Sequence, residues 1–81
     1  MKKINIYVNA LWDDEVSVWV ATSEQVPGLV AEASTAEELE KKLIVMIPEL
    51  LIENGLLVEG NCKEGVPFHL LQERELIAQG C

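Results

Sequence analysis

The sequence predicts an α+β domain of order β-β-β-α-β. A three-stranded antiparallel meander is followed by one main helix on one face, then by a fourth strand parallel to the first. Three observations predict it. Apolar and polar residues alternate with period two over residues 4–11 and 16–22, which marks half-buried strands. A well-capped helix start follows at Ser34-Thr35. The run "VPFHLLQERE" near the end alternates again.

In the first strand Ile4, Ile6, Val8 and Ala10 oppose Asn5, Tyr7, Asn9 and Leu11. "WDDEV" then supplies turn formers, since Asp13 and Asp14 bond nearby backbone N–H groups. Val16, Val18 and Val20 oppose Ser17, Trp19 and Ala21 in the second strand, and the two strands form a hairpin. Val26 is pushed toward extended geometry by the proline after it. Pro27-Gly28 suits the centre of a type II turn, where proline presets φ and glycine takes the positive φ. "LVAEA" returns as a short third strand.

Ser34 and Thr35 each stand three residues before a glutamate, Glu37 and Glu38, so either is able to form a capping box. Good helix formers follow, with acids in the first turn where the helix dipole favours them. Leu39, Leu43, Met46 or Ile47, and Leu50 make one apolar stripe. The second half, "LIVMIPELLI", is apolar nearly all round, which predicts burial on more than one side. Pro48 lacks the N–H that would bond the Ile44 carbonyl, so it kinks the helix or splits it in two. Asn54-Gly55 stops the helix. After a glycine-containing loop, Phe68, Leu70 and Gln72 oppose His69, Leu71 and Glu73 in the last strand.

A meander followed by a helical crossover brings the last strand parallel to the first through a right-handed connection. One helix covers one face of such a sheet. The other face is expected to carry Tyr7, Trp19, His69 and Leu71, too apolar to be left wholly in water. Burial of that face, or of an edge strand, in a self-association interface is therefore expected.

All 81 residues read as one domain, with a core over about 3–75 and a tail over 76–81. A chain this short buries only roughly 60–65% of its unfolded surface, which raises the prior for a partner subunit. The net charge is −8, from 14 acids and 6 Lys or Arg. Phosphate backbones are bound chiefly by Lys and Arg, so direct nucleic-acid binding is not expected, and a basic protein partner fits better. Cys62 and Cys81 have no metal-ligand spacing. No stretch reaches the ~18 apolar residues of a membrane span, and "MKKINIYVNA" has no signal-peptide core. A cytoplasmic protein with reduced thiols and no membrane contact is the expectation.

No set of residues announces a reaction. His69, the single histidine, has Phe68, Leu70 and Leu71 beside it and neither a nucleophile nor an orienting acid, so it reads as a strand-packing or interface residue. Asp13–Glu15 reads as a solvated turn, because a metal loop would add ligands at alternate positions. Trp12 and Trp19 are able to stack bases, yet no basic groove accompanies them, and they read as core or interface aromatics. No glycine loop cradles phosphate. No cofactor, metal or catalytic residue is predicted.

The stretch "LWDDEVSVWVATSEQVPGLVAEASTAEELEKKL" resembles the HicB-like antitoxin family. That family shows a hairpin with acids at its turn, a strand ending near a "PGL"-type turn, and a threonine-capped helix beginning T-x-E-E-L. Here these are Asp13-Asp14, Trp19-Val20-Ala21, Pro27-Gly28-Leu29 and Thr35-Ala36-Glu37-Glu38-Leu39. "VMIPELL" and "VPFHLL" further resemble a stand-alone subgroup of unknown function, family 1902 of the domains of unknown function. The resemblance implies a degraded ribonuclease-H-like fold and a partner of the HicA type, a small basic toxin that cleaves RNA. Nothing after Glu75 resembles the operator-binding segment of a full HicB, so DNA binding is not implied. Ribonuclease H chemistry needs a first-strand carboxylate among several that hold two metal ions, and residues 4–11 contain none.

Two functional classes follow. One is a non-catalytic, antitoxin-like interaction module that masks or regulates a basic partner. The other is a structural or housekeeping homo-oligomer, a homodimer or larger, binding a small ligand between subunits.

Overall fold

The computed structural model describes residues 5–57 and 65–80. Its elements are β1 (Tyr7–Asp13), β2 (Val18–Thr22), β3 (Val30–Ala33), α1 (Ala36–Glu53) and β4 (His69–Glu73). They form a four-stranded mixed sheet in the order β3-β2-β1-β4, with β1 antiparallel to β2 and parallel to β4. The predicted α+β fold and its element order are therefore observed. Cys62, Cys81 and Ile4 lie outside the described residues, as do residues 58–64 of the connection before β4.

Local chemistry accounts for each junction. The β1–β2 hairpin closes over residues 14–17, with Asp13 paired to Val18. The Asp13 carboxylate accepts the Glu15 N–H at 3.0 Å. Ser17 takes a positive φ of 53° to complete the turn. Between β2 and β3, the Leu29 N–H donates to the Val26 carbonyl at 3.1 Å around Pro27-Gly28. Gly28 has φ 84°, the left-handed conformation a type II turn demands at that position.

Thr35, rather than Ser34, is the helix cap: its hydroxyl accepts the Glu38 N–H at 3.1 Å. Ser34 instead donates to the Glu38 carboxylate at 3.3 Å. α1 runs through Pro48 as a single helix of 18 residues. It ends in a Schellman motif, in which Leu56 N–H bonds the Leu51 carbonyl at 2.8 Å and Gly55 N–H bonds that of Ile52 at 3.1 Å. The Asn54 amide also donates to the Pro27 carbonyl at 3.1 Å, which ties the helix end to the β2–β3 turn.

The core lies between α1 and one sheet face. Leu39, Leu43, Ile47 and Leu51 repeat every fourth residue and are fully buried against Ile6, Val8, Ala10, Ala21, Ala31 and Ala33, with Val26 and Leu29 closing one side. Each buried Leu or Ile contributes about 1.5–3 kcal/mol by leaving water. Small alanines on β2 and β3 let the helix approach the sheet closely. The all-round apolar second half of α1 is buried on one side only within the chain: Ile44 and Val45 remain exposed.

Candidate interaction surface

The face of the sheet turned away from α1 is the candidate site. Residues directly opposite each other in neighbouring strands share a face, so the register defines it. β1 contributes Tyr7, Asn9, Leu11 and Asp13; β2 contributes Val18, Val20 and Thr22. β3 adds Val30 and Glu32, and β4 adds His69, Leu71 and Glu73. Leu11, Val30 and Leu71 are 54%, 59% and 54% exposed. The face is thus an apolar strip carrying three carboxylates, and no strand residue on it is Lys or Arg.

Three of the four residues expected here are brought together. Tyr7 and His69 are register partners and stack with ring centroids 5.0 Å apart, and Leu71 follows two residues on, beside Asn9. Trp19 is the exception. It pairs with Trp12 on one side and Ala33 on the other, which places it on the helix-covered face, packed at the margin of the core. Its ring meets that of Trp12 edge-on at 5.3 Å. Both phases of β2 are apolar, so alternation alone does not choose between them, and the pairing of Ala21 with Ala10 and Ala31 does. Leu11, Val20 and Val30 occupy the open face in addition, and Val30 and Val20 are legible only once the β2–β3 register is known.

Polar groups around the strip are engaged in holding the fold. The Tyr7 backbone is met by side chains from the β2–β3 connection: Gln25 Oε1 accepts its N–H at 3.1 Å, and Ser23 donates to its carbonyl at 2.8 Å. At the far end Asp14 accepts the Trp12 indole N–H at 2.7 Å, and the Arg74 guanidinium lies 4.5 Å over the Trp12 ring. Leu11, Trp12, Glu73, Arg74 and Glu75 line an open depression there. Pro27, Gly28, Ser34 and Thr35 serve the turn and helix start, away from this face. Among the described residues no three His, Cys, Asp or Glu side chains are gathered as a metal site requires. No helix among them is long and apolar enough to cross a membrane.

A small antiparallel-plus-parallel sheet with one covering helix and one open face defines an α+β scaffold whose distinctive surface is that open face. The model of a family described as a domain of unknown function, DUF1902, matches residues 5–78, and the chain belongs to that family. A hypothetical protein from the extremely thermophilic bacterium Thermus thermophilus, known from its crystal structure, is similar at 47% identity with a TM-score of 0.68. The match covers 95% of this chain and 100% of that one. No curated protein matches.

Proposed function

We propose that the chain is a non-catalytic protein-interaction module of the antitoxin-like kind, which masks a small basic partner of the RNA-cleaving toxin type. The observation that carries this reading is the open sheet face, where Leu11, Val20, Val30 and Leu71 stand among Asp13, Glu32 and Glu73 with no strand cation between them. An apolar strip supplies contact area, and uncompensated carboxylates select a cationic partner and speed its approach. The net charge of −8 acts in the same direction. The HicB-like resemblance of the hairpin, the Pro-Gly turn and the capped helix supports it by analogy only.

Co-expression with the product of a neighbouring reading frame for a small basic protein tests it. Co-purification that is lost on Leu71→Asp and Val30→Asp is the expected outcome. Failure of the two chains to associate removes the antitoxin reading. Magnesium-dependent RNA cleavage by the pure chain, abolished by a carboxylate substitution, would overturn its non-catalytic character.

A second reading, a structural homo-oligomer, is favoured by the state of the two sheet edges. The Lys42 ammonium reaches from α1 to donate to the Glu32 carbonyl of β3, which covers an acceptor on that edge strand, and covered or charged edges resist further pairing. No described residue plays that part for β4.

A further inference from the structure

The edge of β4 turned away from β1, which no strand among the described residues pairs, is self-complementary, and we propose that two copies of this chain pair there, β4 against β4 in antiparallel orientation, about a twofold axis at Leu71. This pairing rests on the homo-oligomer reading and deepens it, and it is independent of any basic partner, since it concerns the chain alone.

The backbone gives the hydrogen-bonding phase. The His69 N–H donates to the Ile6 carbonyl at 2.9 Å, so His69, Leu71 and Glu73 direct their amide groups toward β1. Successive residues of a strand face opposite ways in the ladder. Leu70 and Gln72 therefore direct both N–H and C=O away from the sheet, and no described residue bonds them. An antiparallel pairing exchanges two bonds only between residues that both point outward. Centring the twofold at Leu71 sets Leu70 opposite the partner's Gln72 and makes four such bonds.

The side chains choose this centre over its neighbours. With the axis at Leu71, Leu71 meets its own copy and His69 lies opposite the partner's Glu73, twice by symmetry. The intervening positions are non-hydrogen-bonded pairs, whose side chains approach most closely. An axis at Leu70 would set Glu73 opposite Pro67 and His69 opposite Leu71; an axis at Gln72 would set Glu73 opposite Leu71 and offer His69 only the partner's Glu75, which lies past the end of β4. On the same strand Glu73 pairs with Leu11 and His69 with Tyr7, so neither already has a charged register partner within the chain. Proline at position 67, just before the strand, does not interrupt the outward ladder, because odd-numbered residues there face β1.

The register also accounts for the C-terminal arm. Leu76 and Ile77 are 74% and 83% exposed, yet the family match extends through residue 78. Carried beyond β4, the same pairing sets Leu76 beside the partner's Val66 and extends the apolar contact past the strand itself. This matters because five paired residues alone fall short of the roughly 1,000 Å² that a stable interface buries.

Sedimentation equilibrium of the purified full chain at tens of micromolar is expected to give twice the chain mass. Leu71→Lys, which sets two ammonium groups face to face, is expected to weaken the dimer roughly tenfold or more, and His69→Glu to do so at both symmetric pairs. The double variant His69→Glu/Glu73→Lys replaces the like-charge contact with an opposite-charge pair and is expected to recover association. Circular dichroism of each variant should match the parent, because all three positions are exposed. Amide hydrogen exchange supplies a reading without substitution. The Leu70 and Gln72 amides should gain protection as concentration rises, while those of Leu71 and Glu73 stay protected throughout. A monomer at these concentrations, a dimer indifferent to Leu71→Lys, or Leu70 and Gln72 amides with concentration-independent exchange would overturn the proposal.

Discussion

Thr35 and Ser17 show what single residues contribute. The Thr35 hydroxyl satisfies a backbone N–H that the first turn of α1 would otherwise leave without a helical partner. Thr35→Ala should lower stability by about 1 kcal/mol, read as a lower urea midpoint, while Ser34→Ala should cost much less. Ser17 closes the β1–β2 hairpin at φ 53°, a conformation that costs an L-residue about 1 kcal/mol and glycine little. Ser17→Gly should therefore leave stability unchanged or raise it by up to about 1 kcal/mol by thermal denaturation. At Gly28, where φ is 84°, an added Cβ would meet no neighbouring atom within 4 Å, so the requirement for glycine is conformational rather than steric crowding.

At the scale of elements, α1 is the piece whose sequence and structure differ most. Its first half is amphipathic in the expected way, with Leu39 and Leu43 inside and Glu37, Glu40 and Lys41 outside. Its second half carries apolar residues on both sides, and the single chain covers only the Ile47 and Leu51 side. Pro48 is half-buried in mid-helix, and the helix continues past it despite the missing bond to the Ile44 carbonyl. Flanking helical turns and the packing of Ile47 and Leu51 hold the segment together. Pro48→Ala should raise stability by about 1–2 kcal/mol, since the recovered hydrogen bond outweighs the added freedom of the unfolded chain. A lowered urea midpoint for that variant would instead show that the ring makes a packing contribution alanine lacks. The strands were legible as alternation, but their ends were not. β2 begins at Val18 rather than near Val16, because the hairpin turn takes residues 14–17.

For the whole molecule, charge separates the two modes of association. Each chain carries −8, so added salt screens repulsion between two copies and should tighten the homodimer. The same salt screens attraction to a cationic partner and should weaken that complex. Opposite slopes of affinity against salt, measured by sedimentation for one and by titration calorimetry for the other, are expected. A homodimer that weakens steeply with salt would mean that its contacts are dominated by ion pairs rather than by the β4 ladder and Leu71.

What the sequence by itself determined is mostly local. Caps, turns and period-two alternation are short-range chemistry, and with one helix between the third and fourth strands they leave little choice of topology. The balance of charge and the absence of a carboxylate from residues 4–11 are likewise properties of composition and position. The tertiary structure decided what alternation leaves symmetric. Val18 and Val20 are as apolar as Trp19 and Ala21, so only the pairing of Ala21 with Ala10 and Ala31 assigns Trp19 to the covered face. Ser34 and Thr35 are equivalent as capping residues until the backbone fixes which hydroxyl reaches the Glu38 N–H. The outward phase of Leu70 and Gln72 likewise exists only once β4 is in register with β1, because a strand's two edges are identical until a neighbour takes one of them.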